Sequence, residues 1–455
     1  MGGSPPPAWA GFRRPLHRFR ELAPGRAWPH SPETVTLQLS ETDRAQLAGD
    51  RGPAARLAMS ILTRMAEIGG ASSLLDITGA HIDSALYLGD ATLEYAERLA
   101  AMGAMVTVPT SLNVSGIDEH HWRDWPVPPE WAAKAQRQMV AYRSMGCEPS
   151  WTCAPYQTKH RPTFGQQIAW GESNAICFAN SVIGARTERY PDLLDICAAI
   201  TGRVPASGLH LDENRFGHDL VRLVNVPVRV QREDSFYPVL GHLVGGFAQE
   251  RIPVISGLEV TPTEDQLKAL CAAAASSGAV ALLHVVGVTP EAPTLAVAFG
   301  GREPERVLDL DVAALLGGWR ALTTATGVTL DMVALGSPHF SLAEFRRLAP
   351  LLAGRRRHAE VEFVVTSSRI MAALARDAGL LAPLEAFGGK VVVDSCILTM
   401  PMLRPETKVL MTNSAKYAYY SPGLLGTTVA FGRLEDCVES AVTGRIVRDE
   451  SLWRE

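Results

Sequence analysis

Long hydrophobic runs are missing from this 455-residue chain. None approaches the roughly 18 consecutive apolar residues that a membrane-spanning helix needs. The most apolar segment, AVALLHVV at 279–286, has the length of a buried strand. A charge excess is missing too, and a net charge of -5 offers no field for nucleic acid or an anionic membrane. There is no C-x-x-C pair, so zinc-ribbon and thioredoxin-type centres are excluded. The seven cysteines are scattered from Cys147 to Cys437. An odd number in a chain of this size argues against a disulfide framework and for a reducing, cytoplasmic setting. Also absent are G-x-G-x-x-G after a strand, G-x-x-x-x-G-K-[ST], G-x-S-x-G and H-E-x-x-H. Nucleotide-dependent chemistry is thereby disfavoured, and the elbow of α/β-hydrolases and the zincin helix have no counterpart.

The chain has enough apolar residues for a large core and is too long for one ordinary domain. The first part, residues 1–36, is rich in Pro and Arg without an apolar h-region, and reads as a flexible extension that is not a secretory signal. Beyond it Ser40 is a helix N-cap, a Gly-Pro pair interrupts, and apolar residues recur at helical spacing from Ala55 to Ile68. Apolar runs then alternate with helical patterns, the βαβ rhythm of an α/β fold with mainly parallel sheets flanked by helices. We expect residues 37–455 to form two or three α/β subdomains, with a division near 215–275.

What ends each run is informative. SLLDIT ends in Gly79-Ala80-His81-Ile82-Asp83, AMVTVP in Thr110-Ser111-Leu112-Asn113, and EPSWT in Cys153-Ala154-Pro155-Tyr156. VALGSPHF carries Ser337 and His339 just before an S-x-x-E capping box at Ser341 and Glu344. KVVVD ends in Ser395-Cys396, and KVLMT in Asn413-Ser414-Ala415-Lys416. Parallel sheets gather such ends on one edge, where α/β proteins place their ligands. The segment 164–205 adds Glu172, Ser173, Asn174, Asn180, Ser181, Arg186 and Thr187 to an otherwise apolar stretch. Unpaired polar groups cost about 1–3 kcal/mol each when buried, so these must bond one another or a polar ligand.

The segments AHIDSALYLGDATLEYAERLAAMGAMVTVPTSLN, TCAPY, AWGESNAICFANSVIGARTERYPDLLDICAAITGRVP, GLHLDEN, LHVVGVTPEAP, GSPH, DSC and TNSAKYAYYSPG occur in order. Together they resemble the large, catalytic part of aconitase X, from Leu37 to the C-terminus. The resemblance implies an aconitase-like multi-domain fold and an iron–sulfur cluster held by cysteines on separate loops. It also implies a hydro-lyase: bacterial members dehydrate cis-3-hydroxy-L-proline to Δ1-pyrroline-2-carboxylate, archaeal ones mevalonate 5-phosphate. The family's small swivelling domain has no counterpart segment here, so a separate small subunit is the expected partner.

On that resemblance Cys153 and Cys396 match cluster-ligand positions. The third ligand falls at Ser337, where archaeal-like members read Gly-Cys-Pro-His, or at Cys197. Because a serine hydroxyl is a hard, poor iron ligand, a [2Fe–2S] cluster is favoured over [4Fe–4S] or [3Fe–4S]. His81, Asp83 and Lys416 are the catalytic candidates, His81 with Asp83 as an acid/base or orienting pair. Ser111, Asn113, Glu172, Ser173, Asn174 and Arg186 are the substrate-binding candidates, with Arg186 as a fork for a carboxylate. His339 is a weaker candidate for substrate contact. In aconitases the base is a serine of the swivelling domain, so the base here is expected on the partner. The rival readings are mevalonate 5-phosphate dehydration and a non-catalytic iron sensor.

Overall fold

The computed structural model describes residues 36–454; apart from Thr36, the extension expected over 1–36 lies outside them. Two N-terminal helices follow their caps. Glu41–Ala48 starts at a Ser40–Asp43 capping box, and Pro53–Ile68 starts with proline in its first turn. No helix among the described residues is long and apolar enough to cross a membrane.

The α/β expectation is met. An all-parallel three-stranded sheet has the order Thr110–Leu112, Ala80–Ile82, Ala169–Trp170, beside a small antiparallel pair of Leu74–Asp76 with Arg203–Pro205. A four-stranded parallel sheet has the order His284–Val285, Pro253–Ser256, Asp219–Leu223, Arg306–Leu310. A five-stranded parallel sheet has the order Lys390–Val393, Glu362–Ser367, Met332–Phe340, Val409–Thr412, Thr428–Phe431.

In the five-stranded sheet the chain runs outward from the central strand to one side, then returns to build the other. The switch point therefore lies between Met332–Phe340 and Val409–Thr412, and the crevice of an open parallel sheet opens at the carboxyl ends of such a pair. Those ends are Ser337–His339 and Asn413–Lys416. The strand Met332–Phe340 does not stop before its Gly-Ser-Pro-His, as the sequence suggests. It runs through it, with a register shift between Leu335 and Phe340. Gly336 takes φ +97°, and a Cβ there would sit 2.1 Å from the Thr366 carbonyl oxygen. Only glycine allows that approach. The Ser341–Glu344 capping box opens the helix Leu342–Leu352 as read.

Three early strand boundaries need correction. AMVTVP is not a strand; the strand begins after Pro109, which has no amide to give to a ladder, so Thr110–Leu112 is sheet and not loop. Likewise Ala80–Ile82 is the middle strand of its sheet. In AVALLHVV only His284–Val285 is strand, because side chains occupy the preceding backbone. Asn180 donates to the Ala281 carbonyl at 2.9 Å, and the Leu283 amide donates to Ser181 Oγ at 2.8 Å.

Candidate active site

Every strand of the three-stranded sheet delivers a polar residue immediately beyond its carboxyl end. Ile82 is followed by Asp83, Leu112 by Asn113, and Trp170, after one glycine, by Glu172. That glycine is required. A Cβ on Gly171 would lie 2.6 Å from Asp83 Cβ and 2.8 Å from Asp195 Oδ2, so any other residue would push the cluster apart. Glu172 N-caps the short helix Ser173–Phe178 and is the hub. Its carboxylate accepts from Lys416 Nζ at 2.6 Å, Asn174 Nδ2 at 2.8 Å, Asn113 Nδ2 at 3.0 Å and Ser173 Oγ at 3.1 Å. Lys416 arrives from the switch point of the five-stranded sheet, so the ion pair joins two sheets.

The Asn113 amide also donates to Asp83 Oδ1, linking two carboxyl groups through one nitrogen. Their environments push them apart. Burial, the Glu172 charge and the Asp195 charge raise the Asp83 carboxyl well above its ordinary range. Burial works to raise Glu172 as well, but the Lys416 ammonium and the Asn174 donors outweigh it and hold that carboxyl down at about 2. The two neighbouring carboxyls are thus driven in opposite directions, Glu172 toward its charged form and Asp83 toward its protonated one. Lys416 stays an ammonium, raised by Glu172 and by Cys153 against the effect of burial.

His81 pairs in register with Ser111 on one neighbouring strand and Trp170 on the other. Its Nδ1 lies 2.8 Å from Ser111 Oγ, and its ring meets Trp170 edge-on. Burial lowers its pKa to about 3, so the ring is neutral. His81 does not bond Asp83, and the expected pair is two separate groups. His81 Nε2 and Asn113 Oδ1 are buried without a hydrogen bond of normal geometry, although the Asn113 side chain lies near enough to act on His81, raising its pKa against the larger effect of burial.

Cys153 and Cys396 are 6% and 9% exposed and lie close enough for one thiolate charge to bear on the other. Burial pushes Cys153 up to about 12, and Glu172 adds to this; Lys416 and the His339 amide work the other way. Cys396 is raised by burial, with Thr399 and Lys416 opposing. The Lys416 ammonium thus favours the thiolate of both, the form that binds a soft metal. These residues fit an iron–sulfur group attached through two thiolates. No group of three or more His, Cys, Asp and Glu side chains suited to a metal comes together among the described residues. Ser337 lines a cavity of about 270 Å³ with Asn413, Lys416, Asp265, Lys268 and Arg347, and its carbonyl accepts from Ser414 Oγ.

Ten of the sequence candidates therefore share one neighbourhood: His81, Asp83, Ser111, Asn113, Cys153, Glu172, Ser173, Asn174, Cys396 and Lys416. Two do not join it. Arg186 is engaged by Asp212 at 2.9 Å, Glu291 at 3.2 Å and the Gly184 carbonyl at 2.6 Å, with Phe164 across its face, and has no fork left for a substrate. Cys197 lies inside the buried helix Leu194–Thr201, 3.2 Å from the Tyr95 hydroxyl. Sequence reasoning also missed Asp195, whose carboxylate accepts from the Asp83 amide at 2.6 Å and from Ser84 Oγ at 2.7 Å. The signal was an acidic residue within the apolar run LLDICAAI.

Family models match in three consecutive segments: the aconitase X first domain over residues 36–213, the second over 221–319 and the third over 330–443. This chain belongs to the aconitase X family. It is 50% identical to the cis-3-hydroxy-L-proline dehydratase of Pseudomonas aeruginosa over 91% of this chain and 72% of that protein. With the protein of the same name from Hypocrea jecorina it shares 45% identity, again over 91% and 72%. The phosphomevalonate dehydratase large subunit of Methanothermobacter thermautotrophicus is 37% identical over 87% of this chain and 96% of its own length. Among solved structures, Thermococcus kodakaraensis aconitase X in its holo-form superposes with a TM-score of 0.80 at 32% identity, covering 89% of this chain and all of that one.

Proposed function

We propose that this aconitase X chain is the large part of an iron–sulfur hydro-lyase that dehydrates cis-3-hydroxy-L-proline. The observation that supports the reaction class is the pair of carboxyl groups on one asparagine amide, Asp83 driven toward its protonated form and Glu172 toward its charged one, beside two buried thiols. The substrate is drawn from the two relatives named for it, which are more similar to this chain than the phosphomevalonate enzyme is.

Dehydration removes the proton at C2, breaks the C3–O bond and releases water. The resulting enamine takes a proton at C3 and gives up its ring N–H proton, moving the double bond to C2=N and yielding Δ1-pyrroline-2-carboxylate. Asp83, in its protonated form, gives its proton to the departing hydroxyl, a transfer that general acids accelerate by about 10²–10⁴-fold. Lys416 supplies the fixed positive charge that an α-carboxylate and the charge developing on it require. Glu172 holds that ammonium in place, and Asn113 sets the spacing between Glu172 and Asp83. Cys153 and Cys396 would hold the cluster, and the serine at 337, a poor iron ligand, favours a [2Fe–2S] form. When bound, the cluster provides Lewis-acid polarisation of the leaving hydroxyl. The base for the C2 proton comes from a swivelling small-domain subunit, in keeping with the match to relatives that are themselves called large subunits.

The test is anaerobic purification of the chain co-expressed with such a small subunit, followed by incubation with cis-3-hydroxy-L-proline. The expected product gives a coloured adduct with o-aminobenzaldehyde. Turnover of mevalonate 5-phosphate alone would overturn the substrate assignment, and a complex that binds no iron would overturn the cluster.

A further inference from the structure

His339 is fully buried, and both of its ring nitrogens have hydrogen-bond partners. Ring Nε2 lies 3.1 Å from the Ser395 carbonyl, which can only accept, so Nε2 carries the proton. Ring Nδ1 is then an acceptor, 3.2 Å from Thr152 Oγ1. The Thr152 hydroxyl in turn accepts from the Ala154 amide at 3.1 Å, which directs its own proton to the histidine. Thr152 immediately precedes Cys153, and Ser395 immediately precedes Cys396. The backbone amide of His339 meanwhile donates to Cys153 Sγ at 3.2 Å. Its carbonyl accepts from Lys268 Nζ at 3.3 Å, and Lys268 is paired with Asp265 at 3.0 Å and with Glu344.

We propose that His339 is a positioning residue that fixes the two cysteine loops relative to each other, so that both thiolates face one inorganic group. The proposal rests on the reading of Cys153 and Cys396 as cluster ligands. A single planar ring with one donor and one acceptor spans the residues preceding both cysteines, while the adjoining amide orients one sulfur. Substrate contact by the imidazole is excluded, since both ring nitrogens are spent. Lys268, paired with Asp265 and Glu344, holds the same strand segment through the His339 carbonyl. Partners that orient metal ligands in this way typically contribute about 10–100-fold to metal affinity.

The experiment compares wild type, His339→Ala, His339→Gln and Thr152→Val in two forms. The apo chain is titrated anaerobically with Co²⁺, reading the thiolate-to-cobalt charge-transfer band. The reconstituted holo complex is assayed for iron content, visible and EPR spectra, and the rate of iron loss to a chelator. We expect His339→Ala to weaken Co²⁺ binding by ~10–100-fold and to speed iron loss by a similar factor. Gln, which also offers one donor and one acceptor, should restore part of both. Thr152→Val keeps the side-chain shape, so it folds even where His339→Ala does not, and should shift both readouts in the same direction by less. Unchanged Co²⁺ affinity, spectra and iron loss in His339→Ala and Thr152→Val, with Cys153→Ala abolishing binding, overturns the positioning role alone. Full iron content in Cys153→Ala and Cys396→Ala overturns the ligand reading beneath it.

Discussion

Two buried charged clusters in this molecule use the same residue types and end in opposite states. Around Arg215 every donor is taken. Its guanidinium donates to Glu291, to Asn180 Oδ1 at 3.2 Å, to the Asn180 carbonyl at 3.1 Å and to the Leu209 carbonyl at 2.9 Å, while Arg186 closes on Glu291 and Asp212. Around Glu172 the ion pair with Lys416 is as close, but His81 Nε2 and Asn113 Oδ1 are left without a hydrogen bond of normal geometry, and burial with the neighbouring carboxylates shifts Asp83 toward its protonated form. Saturated burial fixes a shape. Unsaturated burial keeps desolvated groups ready for something else to bond, and the cost of leaving them so is met by the rest of the fold. The contrast separates structure from function better than charge or burial does, because both clusters are charged and buried.

The largest expected effect on this contrast comes from Asp83→Asn. The side chain is nearly isosteric and neutral, like the acid it replaces, so the hydrogen bond to Asn113 is the main packing change. The variant should lose about 10²–10⁴-fold in kcat in a steady-state dehydratase assay. Its stability moves the other way. A carboxyl with a folded pKa above 3.8 binds a proton that the unfolded chain releases, so wild-type stability is full below pH 3.8 and declines as pH rises toward the folded pKa. Asn removes that decline. Urea unfolding at pH 7 should show the variant no less stable than wild type. A variant with undiminished kcat would strip Asp83 of its proposed proton.

Arg215→Met should do the reverse. Removing the guanidinium leaves Glu291 to Arg186 alone and takes a donor from the Asn180 and Leu209 carbonyls, and breaking such a buried pair costs about 3–5 kcal/mol. We expect a loss of that size in chemical unfolding, with kcat/KM per folded molecule unchanged. A loss of activity without a loss of stability would erase the distinction between the clusters.

Much of this arrangement was legible in the sequence where the signal was local. Four strands of the five-stranded sheet follow from VALGSPHF, VEFVVT, KVVVD and KVLMT, the edge strand Thr428–Phe431 having gone unread, and the caps at Ser40 and Ser341 mark helix starts through i to i+3 bonds. Glu172, Asn113 and Lys416 stood out as polar residues beyond apolar runs. What was hidden depends on partners far away in the chain. The three-residue strands Ala80–Ile82 and Thr110–Leu112 are too short to carry a periodicity, yet their register sets His81 against Ser111. Arg186 looked like an anion fork because nothing local shows that Asp212 and Glu291 fill it. His339 read as a weaker candidate for substrate contact, since its partners Thr152 and Ser395 lie 187 and 56 positions away.

The smallest effect sharpens the comparison from the side of pH. His81 folds neutral, with burial holding its pKa at about 3 against 6.5 in the unfolded chain. Below 6.5 the unfolded chain therefore binds a proton that the folded chain refuses. This contribution to stability is present above pH 6.5 and is lost as pH falls from 6.5 toward 3. Glu172 adds a second loss lower down, as pH falls from 4.5 toward 2, because its folded pKa is depressed. His81→Gln removes the first slope and leaves the second. Urea midpoints measured from pH 7.5 to pH 4.8 should fall less steeply for the variant than for wild type. Parallel curves over that interval would mean that the ring is protonated in the fold. A protonated ring would then point to the Asn113 side chain, the hydrogen-bonding neighbour that raises this pKa, as outweighing burial.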